Sequence, residues 1–241
     1  GGLFLQPMTL DHGWSRELFS FSIALQNLLW GVFQPFAGAF ADRHGAGRTL
    51  VGGALLYILG LVIMAHADSA LGLNLGAGLL IGMGLSGTTF SVVLGVIGRM
   101  AAPEKRSLAL GIASAGGSFG QFAVLPVGQG LITAFGWQDA LLWMAVGIAF
   151  IIPLAAAVTG TSERGGGVEQ SLRQALAEAM RTPSFHFLFW SFFVCGFQTA
   201  FVMLHLPAYV VDMGLSANIG MSAVAMIGLF NIFGSFLSGW L

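Results

Sequence analysis

Long apolar runs broken by short polar stretches dominate this chain. After an apolar start at residues 1–8, they cover 18–41, 49–66, 70–98, 107–135, 138–158, 185–211 and 217–241. None of these runs alternates with period two, and each is close to or above the roughly 20 residues that cross a bilayer as a helix. Backbone groups in lipid must bond one another, which allows only helices or closed barrels. Unalternated runs of this length predict helices.

One polar interval, 159–184, is longer than the rest. It reads TSERGGG and then VEQSLRQALAEAMR. In the second part Leu172, Leu176, Ala179 and Met180 share one face at helical spacing, with Glu169, Arg173 and Glu178 elsewhere. That spacing predicts an amphipathic helix lying on a membrane surface, or equally a solvated tether between two bundles.

Composition agrees with the pattern. Charged residues make up 8 % of the chain, against about 25 % in soluble domains, so there are too few to cover a water-exposed surface. A formal net charge of −1 gives no reason to expect nucleic acid. Cys195 is the one cysteine, which excludes an internal disulfide and any multi-cysteine metal site. The opening GGLFLQPM has no initiating Met and no signal-peptide pattern, and is expected to be cut from a longer chain. No His/Glu cluster, nucleophile with a base, or phosphate loop appears, so neither an enzyme nor a cofactor is expected.

Basic residues set an orientation. With the chain start heading outward, the inner loops hold Arg43, Arg48, Arg99, Lys105, Arg106, Arg164, Arg173 and Arg181. The outer loops hold only Arg16, a strong positive-inside bias. Residues 42–48, 99–106 and 159–184 are therefore expected in the cytoplasm.

An internal repeat adds a second constraint. DHGWSRELFS, from Asp11, and DMGLSANIGM, from Asp212, open two stretches related by a shift of 201 residues. Asp11/Asp212, Gly13/Gly214, Ser15/Ser216, Ala24/Ala225, Leu28/Leu229 and Gly38/Gly239 coincide without a gap. Both copies follow an outward helix and open an inward one, as parallel transporter halves do.

GAFADRHGAGR, residues 38–48, concentrates charge at one bend of an almost uncharged chain. Asp42 and Arg43 are expected to cap the helix end, and Gly45 and Gly47 to permit a tight reversal. Arg99, Lys105 and Arg106 fall in the next inner loop, within reach of Asp42.

These residues resemble the major facilitator superfamily. Gly38, Asp42, Arg43, Gly45 and Arg48 match its Gly-x-x-x-Asp-Arg-x-Gly-basic signature between helices 2 and 3. RSLALGIASAGGSFGQ, from Arg106, and DHGWSRELFS are similar to the bacterial monocarboxylate transporter and oxalate/formate antiporter branch. The resemblance implies an all-α polytopic bundle, with about seven and a half of the family's twelve helices present. It divides the chain into an N-terminal bundle at 1–158, a cytoplasmic linker at 159–184 and the start of a C-terminal bundle at 185–241. It also implies that Gly38, Asp42, Arg43, Gly45, Arg48, Arg99 and Arg106 form an inner gate.

Polar residues inside spans tend to face an interior path. Helices 49–66 and 138–158 offer almost none and should face lipid, as helices 3 and 6 of the family do. The candidates for a solute path are Gln26, Gln34, Gln121, Gln198, His205 and Asn231, with Thr88, Thr89, Ser114 and Ser235 as further polar positions. His205 is the titratable side chain well inside a span, so it could bind an anion or carry a proton. Hydrogen bonds between or within helices explain the others as readily. Gly72/Gly76, Gly78/Gly82 and Gly116/Gly120 are spaced for close helix packing.

The resemblance has a gap. Where monocarboxylate transporters carry an Asp and an Arg in helix 8, this chain has Asn231 and Ser235. The function it implies is secondary active transport of a small organic solute by alternating access, with carboxylates among the candidates. A drug or metabolite exporter and a transport-inactive membrane sensor or scaffold are the alternatives. The implied partners are the lipid bilayer and a solute moving with a proton or counter-solute, and the implied location is a bacterial cytoplasmic membrane.

Overall fold

The computed structural model describes residues 2–158 and 172–240, and every regular element among them is helical. Helix α1 spans Gly2–His12, α2 Arg16–His44 and α3 Ala46–Ala65. Helix α4 spans Ala70–Met100 with two irregularities, a π-helical stretch at Asn74–Leu80 and a break at Thr89. A 3₁₀ turn at Pro103–Lys105 leads into α5, Arg106–Phe135. Helix α6 runs Trp137–Ala149 and continues as Ile151–Val158. Then come α7 (Leu172–Arg181), α8 (Pro183–Asp212) and α9 (Ala217–Trp240).

Six helices among the described residues are long and apolar enough to cross a membrane: α3, α4, α5, α6 and the stretches Pro183–Val202 and Ser222–Trp240. Helix α2 is 29 residues long but falls outside that group. Gln26, Asn27 and Gln34 dilute its apolar character, which fits a helix with polar neighbours.

Helices α2, α3 and α4 run antiparallel, and two apolar clusters at their opposite ends tie them to α6. One gathers Phe4, Met8, Phe19, Leu61, Met64, Leu73, Trp137 and Leu141, tying α1, α3, α4 and α6 around the start of α2. The other joins Ala41, Ala46, Leu50, Val92, Val96 and Ala155 at the opposite end. The open faces of α3 and α6 carry Leu55, Leu59, Trp143, Val146 and Leu154, all apolar, as suits lipid.

Helix α3 reaches the core through glycine. A Cβ at Gly60 would lie 2.9 Å from the Gly76 carbonyl oxygen, and one at Gly84 would lie 2.7 Å from the Tyr57 nitrogen. Gly78 and Gly82 likewise admit Leu25 and the Gln26 backbone of α2. Gly116 and Gly120 differ from expectation: nothing lies within 4 Å of a Cβ at either. Helix α5 instead meets α9 at Gly111, where Gly239 is opposite.

The repeat reappears as geometry. Gly13 (φ 65°) and Gly214 (φ 76°) both adopt the left-handed region between consecutive helices. At the first joint Ser15 caps α2, its Oγ accepting from the Leu18 N–H at 3.2 Å. At the second, α9 begins one residue after Ser216.

Candidate functional site

The 38–48 bend is a helix end, a single glycine and a helix start. Helix α2 continues through Asp42 and Arg43 to His44, and its end is closed by the Gly45 N–H donating to the Ala41 carbonyl at 2.9 Å. Asp42 and Arg43 therefore do not cap it. The reversal needs Gly45 alone (φ 91°), while Gly47 is buried inside α3. Gly38 lies one turn before Asp42 with open space at its Cβ position.

A carboxylate near a helix C-terminus opposes the helix dipole, so Asp42 needs a compensating charge. Arg99, at the end of α4, supplies it: Arg99 Nη1 lies 3.5 Å from Asp42 Oδ1. The pair is well exposed, at 60 % and 70 %, so it bridges two helix ends at the surface. Among the described residues no ion pair joins Lys105 or Arg106 to Asp42. Arg43, Arg48, Lys105 and Arg106 are all exposed around the same end.

The helix-interior candidates separate into two groups. Gln34 is half-buried, and its Nε2 donates to Thr89 Oγ1 at 3.4 Å. Trp30 Nε1 donates to the same oxygen at 3.1 Å, and that hydroxyl donates to the Leu85 carbonyl at 2.8 Å. Thr89 thus joins α2 to α4 at the point where α4 breaks, using all its hydrogen-bonding capacity. Nearby, Ser22 Oγ donates to Asn74 Oδ1 at 2.7 Å, in the π-helical stretch. π-helical turns are frequent at functional sites. Gln26 is half-buried on α2, with its backbone against Gly82.

The second group is dispersed. Gln198 and His205 lie on the open surface of α8, with the His205 ring 4.7 Å from that of Phe201. Asn231 is exposed on α9. The Gln121 side chain lies outside the described residues, as does the linker stretch 159–171. Within the rest of the linker, α7 leaves Leu176 and Met180 exposed, and α8 already begins at Pro183, inside the bounds expected for the linker. Thr88 donates to the carbonyl of Gly84 on its own helix. Ser114 and Ser235 line a crevice of about 250 Å³ between α5 and α9, with Ser107, Ser238, Gly111 and Gly239.

One cluster was not anticipated. At the opposite end from Asp42, Trp137 Nε1 donates to Asp11 Oδ2 at 2.9 Å, across 126 residues of sequence. The His12 ring stacks on Trp14 at 4.4 Å and meets Trp137 edge-on at 5.4 Å. An open cleft of about 520 Å³ beside it is lined by Asp11, Phe135, Gln138 and Asp139. The signal available beforehand was DHGW itself, two titratable residues and an indole at a span end.

Antiparallel apolar helices and lipid-suited outer faces define a polytopic α-helical membrane protein. The comparisons with known proteins then give the family. The model of the Major Facilitator Superfamily matches residues 2–241, and the chain belongs to that superfamily. It is 30 % identical over 214 residues to mouse monocarboxylate transporter 11, covering 86 % of this chain and 46 % of that protein. It is 25 % identical over 238 residues to the oxalate:formate antiporter of Oxalobacter formigenes, covering 95 % of this chain and 55 % of that protein. An uncharacterised transporter of the same superfamily from Bacillus subtilis is 23 % identical over 248 residues, covering 99 % of this chain and 59 % of that one. The chain spans about half the length of these curated relatives. Superfamily and relatives are transporters by name, which sets the chain apart from enzymes.

Proposed function

We propose that the full-length protein moves a small organic solute across the membrane by alternating access. The observation that carries this reading is the repeated joint, with Gly13 and Gly214 in the same left-handed conformation at matching positions. Two such units belong to two bundles that rock about a shared path: 1–158, then the linker 159–184, then a bundle opening at 185. Carboxylates lead the candidate solutes, since the relatives include monocarboxylate transporters and an oxalate:formate antiporter.

The ends bearing Asp42 and Arg99 are the cytoplasmic gate, with Gly38, Gly45, Arg43, Arg48 and Arg106 around it. The pair holds the ends of α2 and α4 together within the first bundle, which gives the second bundle a fixed surface to close against when the path opens outward. The membrane is a bacterial cytoplasmic membrane with 42–48, 99–106 and 159–184 inside. Gln26, Gln34, Gln121, Gln198 and Asn231 are the path residues supplied by this part of the chain.

Asn231 and Ser235 favour a second reading. A path without charge here suits a neutral or amphiphilic solute, as an exporter would carry. Uptake into vesicles holding the full-length protein, with labelled oxalate, formate, lactate and a neutral solute, separates the two. Saturable carboxylate uptake supports the first reading. Movement of the neutral solute alone supports the second, and folded protein that moves nothing points to a sensor or scaffold.

A further inference from the structure

The cleft beside Trp137 belongs neither to the proposed path nor to the gate. Its volume is about 520 Å³, inside the range of about 300–1,000 Å³ typical of small-molecule sites. Its walls come from the last turns of α1 and from the α5–α6 turn, with Leu10, Asp11, Phe135, Trp137, Gln138 and Asp139 among them. Both carboxylates are exposed, and among the described residues neither forms an ion pair. Asp11 accepts the Trp137 indole N–H through Oδ2, which uses one of roughly four acceptor positions on a carboxylate.

Charge decides what such a cleft takes. Helix α6 starts at Trp137, and its N-cap Gly136 has no side chain to bond the first N–H groups. A helix N-terminus carries about half a positive charge, which alone would favour an anion. The carboxylates of Asp11 and Asp139 are each a full negative charge and together outweigh it. The neighbouring joints add Glu17 and Asp68, against Arg16. A bare divalent ion is a poor match: calcium takes about six to eight oxygens, and a ring offers it no ligand. The exposed ring of Phe135 suits an organic cation instead, covering its apolar body and attracting its charge. His12 meets the Trp137 ring edge-on at 5.4 Å, and its Nε2 is closed to solvent without a hydrogen-bond partner among the described residues. Buried polar atoms nearly always have a partner, and a ligand N–H would give this one its own.

We propose that this cleft binds an organic ammonium group. Charge-assisted hydrogen bonds to Asp11 and Asp139 hold the ammonium, and the apolar body of the ligand lies against Phe135 and Leu10. Phe135 is also 6.3 Å from Trp143, on the lipid-suited face of α6, and both rings are more than half exposed. The cleft is therefore open to water and to lipid headgroups alike. Its ammonium comes from a free amine or from an aminophospholipid, and the same chemistry holds either. The site does not rest on the transport reading, because none of the proposed path residues lines it.

The test uses the full-length protein in nanodiscs of phosphatidylglycerol, a membrane without amines, with radiolabelled phenethylamine as the probe. Saturable binding is expected at neutral pH. Unlabelled phenethylamine should displace the probe, and phenethyl alcohol, the same body without the charge, should not. Asp139→Asn should weaken binding on the order of tenfold or more, and Asp139→Glu should recover part of the loss. Asp68→Asn removes a carboxylate at the same end but outside the cleft, and should bind as wild type does. Each variant is first checked for monodisperse elution in size-exclusion chromatography. Nanodiscs of phosphatidylethanolamine then separate the two sources. Weaker probe binding there identifies the lipid headgroup as the occupant, and unchanged binding identifies a free amine. Folded protein without saturable binding, displacement by phenethyl alcohol, or wild-type binding by Asp139→Asn would each overturn the assignment. Equal losses in Asp139→Asn and Asp68→Asn would overturn it as well, since only the general field of this end would then be at work.

Discussion

Gly111 and Gly239 leave no space for a side chain between α5 and α9. A Cβ on Gly239 would lie 2.6 Å from the Gly111 Cα, and one on Gly111 would lie 2.7 Å from the Gly239 Cα. Helix α5 belongs to the first proposed bundle and α9 to the second, so this contact joins the two. Backbones that meet without side chains can slide or tilt with few rotamers to rearrange. The serines around it, Ser107, Ser114, Ser235 and Ser238, keep the neighbouring crevice polar.

Leucine at either glycine should therefore hold the helices apart and block rocking. Gly239→Leu is expected to lower solute exchange by roughly tenfold or more in vesicles, with the first bundle still folded. Gly52→Leu serves as the control, since nothing lies within 4 Å of a Cβ there. Equal exchange by the two variants would remove the contact from the mechanism.

The Asp42–Arg99 pair should matter for transport more than for stability. Exposed ion pairs are worth about 0.2–1 kcal/mol, and this one is open on both sides. Asp42→Asn is expected to slow transport more than Arg16→Gln does, with unfolding midpoints within about 2 °C of wild type. The exchange Asp42→Arg with Arg99→Asp should recover part of the lost rate. Equal rates for Asp42→Asn and Arg16→Gln would count against a gate.

Much of the bundle could be read from hydrophobicity alone. Seven predicted runs correspond to α2–α6, α8 and α9, because spans are set by lipid and need no tertiary information. Asp42 could be placed within reach of Arg99, Lys105 and Arg106 beforehand, because all four fall at or next to the same end of the bundle. Lys105 and Arg106 could not be ranked against Arg99, since a one-residue rotation about a helix end decides which charge reaches. Glycine spacing was equally ambiguous. Gly78 and Gly82 have a neighbouring helix and Gly116 and Gly120 have none, although the spacing is the same. The Thr89 junction was hidden because its bonds to Trp30 and Gln34 span 59 and 55 residues of sequence. DHGW marked Asp11 as one side of a cluster, but its partner Trp137, 126 residues away, could not be read from that local pattern.

The α3–α4 seam should tolerate almost no added volume. A Cβ at Gly84 would meet the Tyr57 nitrogen at 2.7 Å, backbone that cannot swing aside. Overpacking costs typically about 1–3 kcal/mol, more where backbone must move. Gly84→Val is expected to lower the yield of folded, monodisperse protein sharply in size-exclusion chromatography. Gly116→Val, with open space around it, should elute as wild type does. Comparable profiles for the two variants would mean that the seam is looser than the distances imply.

At the end away from Asp42, Trp137 combines a hydrogen bond with packing, and two substitutions separate them. The indole is 8 % exposed and sits among Phe4, Met8 and Leu141, while its N–H reaches the exposed carboxylate of Asp11. Trp137→Phe deletes the bond and keeps most of the ring. Water can then solvate Asp11, so the loss should stay near or below about 1 kcal/mol. Trp137→Ala also empties the space against Phe4 and removes the edge-on contact with His12. Truncations of that size cost about 3–5 kcal/mol. The thermal midpoint of Trp137→Ala should accordingly fall several times further than that of Trp137→Phe. If the two fell equally, the Asp11 bond rather than ring packing would be what fixes α1 to α6. Asp11→Asn should then reproduce the full effect.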